Sequence, residues 1–479
     1  MSEITVSVPD REAFNDRDHR DDRDELGPAR SPARAWWRRE LRPLLMRVHF
    51  YAGLFVGPFL LVAAVTGLLY TLSPQLEQLV HHDQLHVPVP PGATPVPLTR
   101  QVSAAIAALP EGTVSAIRPA GTADGTTRVI FDAPGVPADY SRTVFLDPYN
   151  AQVRGILTTY GEWLPVRAWF DELHRTLHLG AVGRVYTELA ASWLWVLTLS
   201  GLTIWLARVR RGRRARRLRL AVTPRLRGAG RARVRSWHGA VGLWAAVGLL
   251  FLSATGLTWS QFAGTNVDSV RAALHWSSPS VHTALPADQL APTATGSTAD
   301  LAATAGRVLA VAREHGLSDP VEITPATEPG RAWVVTQTKR SWPEKHDSLA
   351  IDPATATVVD QIRFADWPLA AKLARWGIDA HMGLLFGLAS QLALAALALG
   401  LISMIVWGYR MWWLRRPARP APVPAGPPGG TRRPGFGAIA LVGAAAIAVG
   451  IFLPVFGVSL LLFLLVDAVR AQRTPARTG

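Results

Sequence analysis

The sequence predicts an α-helical polytopic membrane protein: a duplicated helix–(α+β domain)–helix unit forming a four-helix bundle, with a C-terminal apolar hairpin or single span. Three observations predict this class. The 479 residues are 49% hydrophobic with mean hydropathy +0.16, high for a chain that dissolves in water. Four apolar stretches (48–72, 186–207, 238–259 and 382–407) are long enough to cross roughly 30 Å of hydrocarbon at about 1.5 Å per residue. The third observation is internal repetition. A shift of 189 residues superposes His49 on His238, Gly53 on Gly242, Thr66 on Thr255 and Gly67 on Gly256. A shift of 207 superposes His174 on His381, Gly180 on Gly387, Gly201 on Gly408 and Trp205 on Trp412. Self-similarity at two related offsets marks a duplicated unit whose halves share a pseudo-two-fold axis along the membrane normal.

In chain order, residues 1–35 form a charged cytoplasmic leader with almost no large apolar side chains, a composition that stays disordered. No span reads as a cleaved signal peptide, because about 45 mostly polar residues precede the first one. The first membrane helix occupies 36–72, an outer domain 73–165, and the second membrane helix with its outer extension 166–210. An Arg-rich cytoplasmic loop (211–234) leads to the third helix (235–260), a second outer domain (261–370) and the fourth helix (371–415). A Pro/Gly linker (416–435) precedes the apolar region 436–470.

The two outer domains carry the same signals. Each starts with a helical pattern (PLTRQVSAAIAALPEG and ADLAATAGRVLAVAREHG) and continues into short alternating strands, the last two separated by an Asp-Pro turn at Asp147-Pro148 and Asp352-Pro353. Each therefore reads as a small α+β domain, reached through Pro/Ala/Ser/Thr-rich linkers at 86–97 and 277–298. The final apolar run, 436–466, has 31 residues, too few for two full spans of about 20 each. Pro454 and Gly457 suit the bend of a half-membrane hairpin, and a single tilted span is the alternative.

The net charge is +15, but its distribution argues against nucleic acid. Thirteen arginines and no acid lie between Arg208 and Arg235, whereas residues 72–165 carry eight acids against five arginines. This is the positive-inside pattern: N-terminus and Arg-rich loop in the cytoplasm, both inserts outside the plasma (inner) membrane, the lipid bilayer as the partner. The absence of cysteine excludes disulfides, thiolate-held clusters and cysteine nucleophiles. GAGRAR at 228–233 lacks the third glycine and the preceding strand of a dinucleotide fingerprint, and no Walker loop, HExxH or GxSxG occurs. No span carries a central Asp, Glu or Lys of the kind that marks an ion path.

The duplicated histidines carry the chemistry. His49 and His238 fall near the cytoplasmic ends of the first and third helices, and His174 and His381 precede the second and fourth on the outer side. Two-fold symmetry brings each pair face to face, as bis-imidazole ligation of a haem iron requires, so two haem b groups are expected. Gly53 and Gly242 lie four residues after their histidines on the same helical face, leaving bare backbone for a porphyrin edge or for a close helix contact. His178, one turn after His174, is an alternative ligand, although Leu385 occupies its repeat position. Arg175 and Arg184 at the outer site, and Arg47 or Arg235 at the inner one, are candidates for propionate pairing. His81, His82 and His86 read as an exposed loop cluster without a counterpart in the second half.

The order helix, domain, helix, twice over, resembles the PepSY-associated transmembrane (PepSY-TM) family. The residues that carry the resemblance are H-x₃-G…TG in the odd helices, LHRTLHLGAVGR entering the second, AHMGLLFG entering the fourth, and DPYNAQVRG between strands. It covers about Trp36 to Arg416. The resemblance implies PepSY-like outer domains and a role in iron acquisition. Family members include iron-regulated membrane proteins and haem-containing ferric-siderophore reductases, so the implied activity is that of a membrane oxidoreductase reducing a ferric chelate or siderophore. Electrons then come from an unidentified donor, quinol or a cytoplasmic reductase. PepSY domains also inhibit proteases, so the alternative is a non-redox peptidase regulator or assembly factor.

Overall fold

Residue chemistry breaks the first span. In the computed structural model, which describes residues 36–209, 219, 221–285, 298–415 and 436–473, helices α1 (Arg42–Phe55) and α2 (Gly57–Thr71) meet at 59°. Pro58 has no N–H to offer the Leu54 carbonyl four residues back. The Tyr409 hydroxyl takes that place, donating to Leu54 O at 2.7 Å. Gly57 makes room for the ring, since a Cβ there would lie 3.1 Å from the Tyr409 oxygen. Val247 stands at the repeat position of Pro58, and the corresponding helix α8 (Gly230–Thr258) runs unbroken for 29 residues.

With α7 (Gly180–Val209) and α12 (Leu388–Trp413), α8 completes a set of three helices long and apolar enough to cross a membrane, or four if the bent α1–α2 pair counts as one span. Helix α8 packs against both α7 and α12, α12 reaches α2, and α7 contacts α1 and α2. Leu392, Leu399 and Val406 at seven-residue spacing on α12, and Trp244 and Val247 on α8, are exposed. Apolar stripes of this kind suit lipid, not water. The chain is a membrane protein.

The connections between spans hold the sheet. After α2 come α3 (Ser73–Val80), α4 (His82–Leu85) and α5 (Leu98–Ala108), then strands β1 (Thr113–Arg118), β2 (Thr127–Asp132), β3 (Tyr140–Leu146) and β4 (Val153–Tyr160), and α6 (Pro165–Thr176). The second half supplies α9 (Phe262–Ala273), α10 (Thr298–Glu314), β5 (Val321–Thr324), β6 (Trp333–Gln337), β7 (Ser348–Ile351), β8 (Val358–Ile362) and α11 (Leu369–His381). The Asp-Pro turns recur as expected. Asp147 accepts from the Tyr149 N–H and Asp352 from the Ala354 N–H, each at 2.8 Å. Ala151 and Ala356 close the two turns at φ 61° and 59°.

The sequence gives two separate small domains; the structure joins them. One antiparallel eight-stranded sheet runs β4-β3-β2-β1-β5-β6-β7-β8, and Ile117 of β1 pairs with Ile323 of β5 at the seam. A single core lies beneath α5 and α10, with Val102 and Ala105 from one half and Ala302, Ala305 and Val308 from the other, all fully buried. Two four-stranded sheets with one helix each would expose half of that apolar layer, and pairing their β1-type edges buries it and removes an open strand edge at once.

The C-terminal region is a hairpin. Helices α13 (Phe436–Phe452) and α14 (Pro454–Arg473) fold back at Pro454 so tightly that a Cβ on Gly450 would lie 2.9 Å from the Gly457 Cα. An unbroken helix would hold those residues roughly 10 Å apart. Its reach exceeds the half-membrane length expected from the sequence. The tip bonds the sheet-side helix α9 (Asn266 Nδ2 to Phe452 O, 2.9 Å), while Phe463 meets Tyr51, two residues from His49, edge to face. Expectations for 1–35, for part of the Arg-rich loop (211–218 and 220), for 286–297 of the second linker and for the 416–435 linker lie outside the described residues.

Candidate functional site

Four histidines form two pairs at opposite ends of the long helices. At the arginine-rich end His49 (α1) and His238 (α8) face each other with ring centroids 6.3 Å apart and planes at 83°. His49 Nδ1 hydrogen-bonds the Ser200 hydroxyl at 3.0 Å, and that hydroxyl itself lies 3.2 Å from the Leu197 carbonyl, to which it donates. With its own hydrogen committed, Ser200 accepts from Nδ1–H. His238 Nδ1 donates to the Met404 carbonyl at 3.0 Å, and Met404 is the repeat counterpart of Leu197 at shift 207. Both rings therefore carry the proton on Nδ1 and leave Nε2 as an open electron pair. Gly201 makes this possible, since a Cβ there would approach His49 Cε1 to 2.8 Å.

The sheet-side pair uses the TG motif. Thr66 Oγ1 donates to the Val62 carbonyl at 2.9 Å and meets His174 Nδ1 at 2.9 Å. Thr255 Oγ1 donates to the Phe251 carbonyl at 2.7 Å and meets His381 Nδ1 at 2.6 Å. With each hydroxyl hydrogen on its own helix carbonyl, the threonine oxygens accept from Nδ1–H, the arrangement that leaves Nε2 unprotonated. Gly67 lies against the His174 ring, where a Cβ would sit 3.1 Å from Cε1. Sequence reasoning found the Thr-Gly repeat but not its task, which the shared offset of Thr66 and Thr255 already hinted at.

Each pair lines a cavity. The arginine-side cavity, about 300 Å³, is walled mostly by apolar side chains, with Arg208, Arg231, Arg235 and Arg415 also lining it. Gly53 and Gly242 both line it; a Cβ on Gly53 would meet only Leu197 at 4.0 Å, whereas one on Gly242 would press Met404 Sδ at 3.2 Å. The sheet-side cavity, about 500 Å³, adds Tyr160, Trp163, Asp171, Arg175, Arg184 and Arg340. Four leucines border both cavities: Leu60, Leu194, Leu249 and Leu401, one from each span. They are repeat-related, 60 to 249 by 189 and 194 to 401 by 207, and form an apolar partition between the chambers. This partition went unnoticed in the sequence, where leucine in a span carries no signal.

Of the remaining candidates, Arg175 and Arg184 line the sheet-side cavity and Arg235 the arginine-side one; Arg47 lines neither. His178 is separated from His174. Helix α6 ends at Thr176, Leu177 and His178 both take left-handed φ (55° and 54°), and the turn leaves His178 exposed against Trp169 with centroids 4.9 Å apart. His82 and His86 are ring neighbours at 5.2 Å, and His86 bonds Asp124 at 2.9 Å.

Charge gathers between sheet and spans. Arg340 bridges Glu162 and Asp379, and Arg118 joins Glu322 at 2.6 Å. Burial alone would raise Glu162, but Arg340 and Arg118 outweigh it and hold the carboxyl below its ordinary value. Burial pushes Asp171 up to about 6 and Glu77 up to about 7, against the opposing pull of nearby arginines. Glu188, a fully buried carboxylate on α7, accepts from the Phe262 and Ala263 N–H groups at 2.9 and 3.0 Å and so anchors the start of α9.

A membrane protein with two oriented imidazole pairs beneath a shared sheet is the class these features define. The chain belongs to the PepSY-associated TM region family, whose family model matches residues 46–415. No curated protein matches the chain.

Proposed function

We propose that this is a membrane electron-transfer protein holding two b-type haems, one between His49 and His238 and one between His174 and His381, that reduces a ferric, siderophore-like chelate at the sheet side. The observation that carries the reading is the anchoring of every Nδ1 by one partner, together with the 6.3 Å separation of the His49 and His238 ring centres. Two imidazoles sharing one metal at about 2 Å per bond place their ring centres roughly 6 Å apart. The room beside Gly53 fits a flat macrocycle edge. Bound haem supplies one-electron exchange between ferric and ferrous iron.

The chain's own residues do the rest. Thr66, Thr255, Ser200 and the Met404 carbonyl hold the rings in one tautomer and orientation. The leucine partition keeps water out between the chambers, and Arg175, Arg184 and Arg340 offer positive charge to anionic groups at the sheet-side cavity. In this reading the spans form a four-helix bundle in the plasma (inner) membrane, with the Arg-rich end in the cytoplasm by the positive-inside rule. Electrons enter there from quinol or a cytoplasmic reductase. Reduction of Fe(III) to Fe(II) weakens its bonds to hard oxygen donors and frees the iron.

Purified full-length protein should show a reducible Soret band with a b-type α-band and two haems per chain by pyridine haemochrome. His49→Ala or His238→Ala should remove one haem, and His174→Ala or His381→Ala the other. A colourless, iron-free preparation, or two haems retained in all four variants, overturns the reading and favours the peptidase-regulator or assembly-factor class.

A further inference from the structure

A second polar cluster lies outside both cavities. Glu344 and His346, on the loop between β6 and β7, meet Asp379 of α11, with one ligand atom from each residue lying within 4.8 Å of the others. All three are buried, at 6%, 7% and 0% exposure. His346 Nε2 reaches Glu344 Oε2 at 3.1 Å, while Glu344 Oε1 and Asp379 Oδ2 are buried without any hydrogen-bond partner. Arg340 Nε holds the other Asp379 oxygen, Oδ1, at 2.7 Å. Arg375 Nε comes within 3.2 Å of Oδ2, but neither atom has hydrogen-bond geometry. Glu344 Oε1 is thus buried with no hydrogen-bond partner, and Asp379 Oδ2 meets only the charge of Arg375 without a hydrogen bond, an arrangement that is costly unless a further positive group reaches these oxygens.

We infer that Glu344, His346 and Asp379 form a binding site for a divalent first-row transition cation. One imidazole and two carboxylates at this spacing match a donor set for Mn²⁺, Fe²⁺ or Zn²⁺, which take nitrogen and oxygen ligands at about 2.0–2.2 Å with modest inward movement. Aromatic rings complete the surround. His346 lies 5.1 Å from Phe364 and 5.9 Å from Trp367 by ring centres, a shell that excludes water and strengthens each bond.

The site is separate from the paired histidines. Asp379 precedes His381 by two residues, which puts it on the opposite face of α11 at about 100° per residue. Its repeat counterpart is Glu172, which is engaged with Arg175 and Thr176, so the cluster belongs to the second half alone. A bound cation would clamp the β6–β7 loop to α11.

Isothermal titration of the full chain, purified without an oligohistidine tag and stripped with EDTA, tests the site with Zn²⁺ and with Mn²⁺. One cation should bind per chain. His346→Ala and Glu344→Gln should each weaken it by roughly 100-fold or more, given that even outer partners of metal ligands are worth 10–100-fold. His86→Ala, at the exposed histidine cluster, should leave that event unchanged. Mn²⁺ added to the wild type should also raise its thermal midpoint, and not that of His346→Ala. Absence of binding by both cations, or binding unaltered in His346→Ala, overturns the inference and leaves His346 as a hydrogen-bond partner of Glu344 alone. Haem content plays no part in this readout.

Discussion

The two histidine pairs descend from one repeat and are held by different atoms. At the sheet side both imidazoles rest on threonine hydroxyls, Thr66 and Thr255, from the duplicated TG motif. At the arginine side one rests on the Ser200 hydroxyl and the other on the Met404 backbone carbonyl. Duplication has conserved the outcome, a ring with Nδ1 engaged and Nε2 open, and let the donor and acceptor vary. The chambers differ as well. Arginines line both, Arg208, Arg231, Arg235 and Arg415 in the chamber of about 300 Å³ and Arg175, Arg184 and Arg340 in that of about 500 Å³, but only the larger one adds carboxylates, Asp171 and Glu188.

The largest effect should separate relay from terminus. His381→Ala should abolish reduction of an external ferric chelate while leaving the arginine-side haem reducible by an inside donor. Stopped-flow measurements in oriented proteoliposomes decide it, and chelate reduction at the original rate would sink the two-station scheme. Next in size is the seam. Ile117→Ala removes a fully buried side chain where the half-sheets meet and should cost about 2–5 kcal/mol. Its effect should fall on the sheet-side pair, read as a lower thermal midpoint for loss of that haem alone.

The anchors give a finer contrast. Thr66→Val and Thr255→Val should weaken the sheet-side group by about 10–100-fold each. Ser200→Ala should cost less than about tenfold, because its contact to the ring is the longest of the hydroxyl anchors, 3.0 Å against 2.9 and 2.6 Å. Equal losses at both ends, measured by haem-transfer competition, would mean that the two pairs are held alike. The smallest effect is on pH. Burial raises Glu77 from 4.5 to about 7, so the folded state binds that proton more tightly than the unfolded one and stability falls as pH rises across this window. Glu77→Gln should flatten the slope of thermal midpoint against pH between those values; an unchanged slope would refute the assignment.

What the sequence made legible followed from repetition. Four histidines at offsets of 189 and 207 located both ends of the molecule, and the Asp-Pro turns located the strand pairs. What it hid depends on partners remote in the chain. The bend at Gly57 needs Tyr409, more than 350 residues away, to satisfy Leu54, although Pro58 alone marked the weak point. The sheet fusion rests on β1 and β5, whose alternating patterns look the same whether the edge is open or paired. The capping of α9 by Glu188 appears only when the two helices meet. The reach of the C-terminal hairpin escaped residue counting because α14 continues past the apolar run to Arg473.

The continuous sheet has a mechanical meaning. Transporters built from repeats work by rocking one half against the other about a central site. Here the halves are stitched by strand pairing between Ile117 and Ile323 above, by one shared apolar core, and by α8 wedged between α7 and α12 below. Rocking would tear hydrogen bonds and open that core in the same stroke. Among the described residues, these contacts tie the two halves into one frame. Such a frame suits a cargo that crosses without moving parts.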